Sequence, residues 1–133
     1  MMRFSPYFKM EFERDRRFYS GRLKSVKYAV AGAIKLITTE HSIMSQFIIA
    51  VFMVIAGFYF KISATEWMFQ TFAIGLVLSI EGLNTALEKL CDFVHPQFDA
   101  RIGFIKDIAA GAVFFAALTA ITIGLIIYLP KIL

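Results

Sequence analysis

The sequence predicts an all-α membrane protein, in which three transmembrane helices follow an amphipathic helix at the membrane surface. Three observations support this fold class. The 133-residue chain is 59% hydrophobic, its apolar residues are gathered into long runs, and most of its charged residues lie outside those runs. A soluble helical bundle would interrupt such runs with a charged residue every few positions. The length and composition fit one domain.

The first forty residues divide into a charged segment and a predicted surface helix. Residues 1–20 mix aromatic with charged side chains and lack the short apolar core of a secretory signal, so we expect them to stay attached. Residues 21–40 have apolar side chains at helical spacing and lysines largely on the other side; these are Leu23, Val26, Val30, Ala33 and Ile37, with Lys24, Lys27 and Lys35. Such a pattern fits a helix that lies in the plane of the membrane interface, and also a surface helix that packs on another helix of its own protein. Glu40 falls on the apolar face and therefore requires a partner.

Three apolar runs are long enough to cross the hydrocarbon layer, which takes about 20 helical residues. We predict the first span at residues 42–60, the second at 67–87 and the third at 108–129, with Pro130 ending the third. A polar connection at residues 88–106 joins the second span to the third. We expect it to be non-helical around His95-Pro96, because proline disfavours helix at the residue before it.

The distribution of lysine and arginine predicts the orientation in the membrane. Residues 1–40 carry nine of the fourteen, the connection at 88–106 carries three, and the hairpin between the first two spans carries one. Basic residues favour the cytoplasmic side, so the N-terminus and the connection are predicted to be cytoplasmic. The net charge of +4 is small, and a chain this apolar is not expected to bind nucleic acid.

A polar stripe interrupts the end of the second apolar run. If this segment is helical, five residues share one face: Glu81, Asn84, Thr85, Glu88 and Asp92. Glu81 follows an uncharged run that begins at Trp67, so it lies at or inside the membrane boundary, where a carboxylate is costly and usually functional. The spacing alone leaves three readings open: a structural polar network, ion or proton transport, and catalysis.

The predicted topology brings several of these charged groups to one side of the membrane. Glu40, Glu88, Asp92 and the pair Lys106-Asp107 would all lie at the cytoplasmic interface. Carboxylate oxygens there could hold one or two magnesium ions, which usually bring nucleotide phosphates with them. Glu81, set deeper and withdrawn from water, would be a stronger base for a lipid hydroxyl. No Walker A sequence or kinase glycine-rich loop is found in the sequence.

Two motifs resemble those of a known family. The first is Glu81-x-x-Asn84-Thr85-Ala86-x-Glu88 followed by Asp92, and the second is Ile105-Lys106-Asp107-Ile-Ala-Ala-Gly-Ala-Val113. Together they resemble the signature of the small prokaryotic diacylglycerol kinase and undecaprenol kinase family, and the likeness extends upstream to Tyr28, Gly32 and Glu40. The resemblance implies a homotrimer in the cytoplasmic membrane of a prokaryote, with active sites shared between subunits. Its expected reaction moves the γ-phosphate of MgATP to a lipid alcohol.

The resemblance also implies a role for each matching residue. Glu81 would be the catalytic base, and Glu40 and Glu88 would hold the magnesium ion that bridges the ATP phosphates. The nucleotide-binding residues would be Tyr28 on the surface helix together with Glu40, Asn84, Glu88, Lys106 and Asp107. Magnesium is the expected cofactor, and ATP, the lipid alcohol and further copies of this chain are the expected partners.

Two questions stay open at the level of the sequence. The lipid alcohol could be diacylglycerol, giving phosphatidic acid, or undecaprenol, giving undecaprenyl phosphate. A function of another class is a non-enzymatic small membrane transporter or assembly subunit in which Glu81 is a proton site. The transporter requires neither magnesium nor the Lys106-Asp107 pair, whereas the kinase requires both.

Overall fold

The computed structural model describes residues 21–133, so the charged segment predicted at residues 1–20 lies outside the described residues. The described part contains four helices: α1 (Arg22–Thr39), α2 (His41–Tyr59), α3 (Ala64–Val94) and α4 (Ala100–Ile132). It divides into two units, and the boundary follows Lys35 within α1. Each unit is described by itself.

The first unit contains most of the predicted surface helix. Its apolar side chains at helical spacing are exposed, and Val26, Val30 and Ile34 lie one turn apart on one face. This pattern is the one expected of a helix that rests its apolar face on another surface. The predicted range of residues 21–40 agrees closely with α1, which begins at Arg22 and ends at Thr39.

The second unit begins with the last turn of α1 and contains a tight hairpin of α2 and α3. Ser63 caps α3: its hydroxyl accepts from the Glu66 amide at 3.2 Å, and the Glu66 carboxylate accepts from the Ser63 amide at 2.7 Å. Lys61 turns the chain with a positive φ of 51°. The two helices touch at Gly57, where an added Cβ would come within 2.6 Å of the Trp67 ring. Only glycine allows this approach.

We call the part of the protein at this turn the hairpin end. It comprises residues 53–70, which run from α2 through the turn into α3, and residues 123–132 of α4. Tyr128 of α4 donates to the side-chain oxygen of Gln70 at 2.6 Å, and Gln70 donates to the backbone carbonyl of Met53 at 3.0 Å. Lys131 and Glu66 form an ion pair at 2.9 Å. Polar contacts therefore join all three helices, and Ile62, Ile127 and Tyr128 form the buried cluster beside them.

Two predicted boundaries differ from the structure. The connection predicted at residues 88–106 is mostly helical, because α3 continues to Val94 and α4 begins at Ala100. Only residues 95–99 are non-helical, which confirms the break expected around His95-Pro96. The charged residues on either side continue the helices, because charged residues are good helix formers at an exposed helix end. The expected stop at Pro130 is also wrong. The helix continues to Ile132, since a proline near a helix end removes only one backbone hydrogen bond.

Within the described residues, α2 and α4 are the helices long and apolar enough to cross a membrane. The predicted second span lies inside α3, whose hydropathy is lowered by Gln70, Glu81 and Asn84. Large apolar side chains cover much of the exposed surface of α2 and α4, as expected of helices that face lipid or other subunits. An apolar cavity of about 370 Å³ lies between α2, α3 and α4.

Candidate functional site

The polar stripe predicted on the second span forms part of the buried face of α3. Glu81 and Thr85 are 8% and 6% exposed, and they continue the row of buried residues formed by Gln70, Ala73 and Val77. The row is buried because α3 packs mainly against α4 on this side. The stripe therefore points into the protein at Glu81 and emerges toward the exposed residue Glu88.

Glu81 lies between an apolar and a polar region. One turn before it, Val77 and Leu78 line the apolar cavity. One turn after it, Asn84 begins the polar region. In the part of the chain that the structure describes, the carboxyl group of Glu81 makes no hydrogen bond, and the residue is 8% exposed. The next residue, Gly82, packs closely on Leu36, since an added Cβ would be 3.2 Å from the Leu36 Cδ1.

Asn84 and Glu88 form a pair one turn apart on α3. The amide nitrogen of Asn84 donates to the Glu88 carboxylate at 3.3 Å. The amide oxygen of Asn84 is buried and has no hydrogen-bond partner among residues 21–133. A buried acceptor without a donor costs free energy in the folded state, which points to a ligand at this position.

Glu40 has the partner that its predicted place on an apolar face requires. It lies between α1 and α2, and its carboxylate forms an ion pair with Lys89 of α3 at 3.0 Å. The hydroxyl of Thr39 donates to the same oxygen at 3.1 Å. The hydrogen bond from Lys89 is the main reason that the pKa of Glu40 lies below its ordinary value, so the group is a carboxylate at neutral pH.

Lys106 and Asp107 begin the polar part of the site on α4. Lys106 donates to the Asp92 carboxylate at 2.6 Å, which joins the first turns of α4 to the end of α3. Asp107 is exposed and lies next to this pair. Asp92, which the sequence places on the polar stripe, therefore pairs with Lys106 across the two helices.

The short segment between α3 and α4 fixes the start of α4. Asp99 caps the helix, accepting from the Arg101 amide at 2.8 Å and from the Arg101 guanidinium at 3.0 Å. His95 lies 3.9 Å from the same carboxylate. The two side chains of Arg101 and Asp99 thereby hold the chain in the turn that brings Lys106 back to Asp92.

We call this region the site end: Glu40 with the last turn of α1, residues 81–92 of α3 and residues 99–107 of α4. Six of the seven candidate site residues predicted from the sequence belong to the site end, which lies in the second unit. The seventh, Tyr28, belongs to the first unit and is 58% exposed. Within the described residues, no three acidic, histidine or cysteine side chains are close enough to hold a metal by themselves. The sequence analysis did not single out Lys89, although its place directly after Glu88 and on the exposed end of the stripe was a usable signal.

Comparisons with known proteins agree with the motifs. Residues 27–128 match the family described as prokaryotic diacylglycerol kinase. An undecaprenol kinase of Bacillus subtilis (strain 168) is 36% identical over 109 residues, which cover 82% of this chain and 89% of the relative. A diacylglycerol kinase of Synechocystis sp. (strain ATCC 27184 / PCC 6803 / Kazusa) is 32% identical over 112 residues, covering 84% of this chain and 64% of that protein.

Proposed function

This chain belongs to the prokaryotic diacylglycerol kinase family, and we propose that it transfers the γ-phosphate of ATP to the hydroxyl of a membrane lipid alcohol. The two named relatives act, by their names, on undecaprenol and on diacylglycerol, and both alcohols are candidates here. The family and the two apolar helices α2 and α4 indicate a membrane protein of a prokaryote. We further propose three spans, with α3 as the second, and a cytoplasmic site end.

The position of Glu81 is the observation that carries this proposal. A lipid kinase must bring together a hydroxyl that is anchored in an apolar phase and a phosphate that arrives from water. Glu81 lies one turn from the apolar cavity at Val77 and one turn from the polar pair Asn84 and Glu88. Its carboxyl group has no hydrogen-bond partner among the described residues, so it is available to a substrate.

The proton and phosphoryl transfers follow from this arrangement. Glu81 takes the proton from the lipid hydroxyl while the hydroxyl oxygen attacks the γ-phosphorus of ATP. The bond between the γ-phosphorus and the oxygen that bridges it to the β-phosphate breaks, and ADP leaves. Lys106, which Asp92 holds at 2.6 Å, is a positive group that would contact the phosphates. Most of the catalysis would come from positioning the two reactants and offsetting phosphate charge.

The residues of the site end suit a magnesium ion. Glu40 and Glu88 offer carboxylate oxygens and the Asn84 amide offers a buried oxygen without a partner, all of which are hard ligands. Magnesium is commonly bound by one or two carboxylates and completed by water and substrate phosphates, so a third acidic ligand is not required. We propose that Glu40 and Glu88 hold it, and that it would offset charge on the phosphates.

We also propose that the chain assembles as a homotrimer with shared active sites. The number three comes from the family resemblance alone. One observation supports an assembly of some order: large apolar side chains are exposed over α2 and α4. Tyr28 would contact the nucleotide from the surface helix.

The direct test is phosphate transfer from labelled ATP in mixed micelles, with diacylglycerol and undecaprenol supplied separately. We expect a labelled lipid with at least one alcohol, and we expect Glu81→Gln to lose about a hundredfold or more of the rate, as general bases usually do. Glu66→Gln is the matched control, because it makes the same change in a carboxylate at the hairpin end. It should keep the activity per folded molecule.

The outcome separates the kinase from the transporter. A lipid product that requires Glu81 identifies a kinase and names its alcohol. If folded, oligomeric protein gives no product with either lipid, or if Glu81→Gln keeps the full rate, the proposal is wrong. Proton uptake by reconstituted vesicles that depends on Glu81 would then favour the transporter.

A further inference from the structure

Lys89 is the residue of the site end to which neither the family motifs nor the proposed reaction assigns a role. Its ammonium nitrogen lies 3.0 Å from one carboxylate oxygen of Glu40, Oε1, although its side chain is 65% exposed. The Thr39 hydroxyl donates to the same oxygen at 3.1 Å. In the described part of the chain, the other oxygen, Oε2, has no hydrogen-bond partner. Two donors thus converge on one oxygen and leave the second available.

This arrangement is typical of a carboxylate that binds a metal. Carboxylate ligands are usually fixed by hydrogen bonds to the atoms that do not touch the metal, which set the orientation of the group. Glu40 needs such fixing, because it lies in a one-residue break between α1 and α2 and its side chain makes no capping hydrogen bond to the start of α2. Lys89 reaches it from α3, the helix that also carries Glu88.

Because its ammonium nitrogen lies 3.0 Å from Glu40 Oε1, Lys89 would also lie close to a phosphate bound to the same metal ion as Glu40. Magnesium holds its oxygen ligands at about 2.1 Å, so two ligands on neighbouring octahedral positions lie about 3 Å apart. A phosphate oxygen bound next to Glu40 Oε2 would therefore lie within a few ångströms of the carboxylate. The ammonium group 3.0 Å from Oε1 can reach it by small rotations of its four-carbon side chain.

The charge of Lys89 has opposite effects on the two forms in which magnesium can arrive. A free magnesium ion at Glu40 is repelled by the nearby ammonium group, whereas a magnesium–nucleotide complex carries a net negative charge and is attracted to it. We propose that Lys89 is a further nucleotide-site residue, which holds Glu40 through one oxygen and makes the site select the metal–nucleoside triphosphate complex over the free metal. This inference rests on the proposed function of the same site.

Two binding measurements on the Lys89→Ala variant test the selection without any turnover. The first is the titration of nucleotide-free protein with Mn²⁺, followed by the loss of its free electron-spin signal. The second is calorimetric binding of the magnesium complex of a non-hydrolysable ATP analogue. We expect Lys89→Ala to bind Mn²⁺ about threefold or more tightly and the nucleotide complex about threefold or more weakly. Lys89→Arg, which keeps the charge, should restore both values toward wild type.

A matched control variant removes the same kind of interaction from the hairpin end. Lys131→Ala deletes a lysine that pairs with a glutamate at 2.9 Å, and it should change neither binding constant. A merely structural role for Lys89 would weaken both ligands together or change neither. Either of those results, or tighter binding of both ligands, overturns the inference.

A second variant separates this inference from the function on which it rests. If Glu40→Gln leaves Mn²⁺ binding and phosphate transfer unchanged, the proposed metal site itself is wrong. If Glu40→Gln abolishes Mn²⁺ binding while Lys89→Ala shows no opposite shifts, the metal site stands and only the role of Lys89 is refuted.

Discussion

The two ends of the helical unit treat their buried polar groups in opposite ways. At the hairpin end, both polar atoms of the buried Gln70 amide are hydrogen-bonded: its nitrogen donates to the Met53 carbonyl and its oxygen accepts from Tyr128. At the site end, the Asn84 amide oxygen is buried without a partner and the Glu81 carboxyl makes no hydrogen bond, within the residues described. The Gln70 amide of the hairpin end is therefore satisfied by hydrogen bonds within the protein, whereas Asn84 and Glu81 of the site end have polar atoms without a partner among the described residues.

The difference separates the part of the fold that stabilises the protein from the part that binds. An unsatisfied buried polar group costs about 1–3 kcal/mol, so a protein keeps one where a ligand will satisfy it. The ion pairs follow the same division. Lys131 and Glu66 are each 28% exposed, whereas the pairs at the site end involve more exposed partners, Lys89 at 65% and Asp92 at 67%. Exposed pairs contribute little stability and can rearrange.

Among the variants that test this comparison, the largest expected effect is on activity, from Glu88→Gln at the site end. The variant keeps the shape of the side chain and its contact with Asn84 but loses the charge that would hold magnesium. We expect phosphate transfer to fall about a hundredfold, as is usual when one group that stabilises the transition state is lost. The thermal unfolding midpoint should change little, because Glu88 is exposed.

Both quantities can be measured on the same purified sample, by labelled ATP and by circular dichroism during heating. If Glu88→Gln unfolds the protein instead, the site end has a stabilising role and the comparison fails. Raising the magnesium concentration should recover part of the lost rate if the substitution weakens metal binding, and this recovery distinguishes it from a purely steric effect.

The positions of the helices and of the polar stripe could be predicted from the sequence, because they depend on the periodicity of apolar residues and on the distribution of charge. The apolar runs located the helices, and the helical spacing placed Glu81 and Glu88 on one stripe. The spacing could not show that Lys89 meets Glu40 or that Lys106 meets Asp92, since those pairs join helices and depend on how the chain turns at residues 95–99. The break expected around His95-Pro96 is confirmed, since residues 95–99 are non-helical, but the sequence did not show that helix continues up to Val94 and resumes at Ala100.

The hairpin end offers the converse test, through Tyr128→Phe. The phenol hydroxyl donates to Gln70 at 2.6 Å and also lies 3.2 Å from the Met53 carbonyl, so its loss leaves the buried oxygen of Gln70 without a donor. We expect the free energy of unfolding to fall by about 1–2 kcal/mol. The rate per folded molecule should stay within about twofold of wild type, because Gln70, the partner of the hydroxyl, lies about three helical turns from Glu81 on α3.

Unfolding by denaturant in micelles and the phosphate-transfer assay measure the two quantities separately. Asn84→Ala is the counterpart at the site end: it removes an amide whose oxygen has no partner, so it should cost less stability than Tyr128→Phe while reducing nucleotide binding. A larger loss of stability from Asn84→Ala would break the comparison, because it would show that the site end depends on its polar groups as much as the hairpin end does.

The smallest expected effect is a pH dependence at Asp99, the cap of α4 at the site end. Hydrogen bonds from the Arg101 side chain and then from its amide hold the pKa of Asp99 below its ordinary value of 3.8. A carboxylate with a lowered pKa stabilises the folded state fully above its ordinary value, and this stabilisation is lost as the pH falls through the lower, folded-state value. His95, 3.9 Å away, adds a smaller electrostatic contribution to the lowered pKa of Asp99. The thermal midpoint of wild type should therefore exceed that of Asp99→Asn at neutral pH, and the two should converge only in strong acid. A difference that is absent at neutral pH, or that grows in strong acid, would mean that another group stabilises the start of α4.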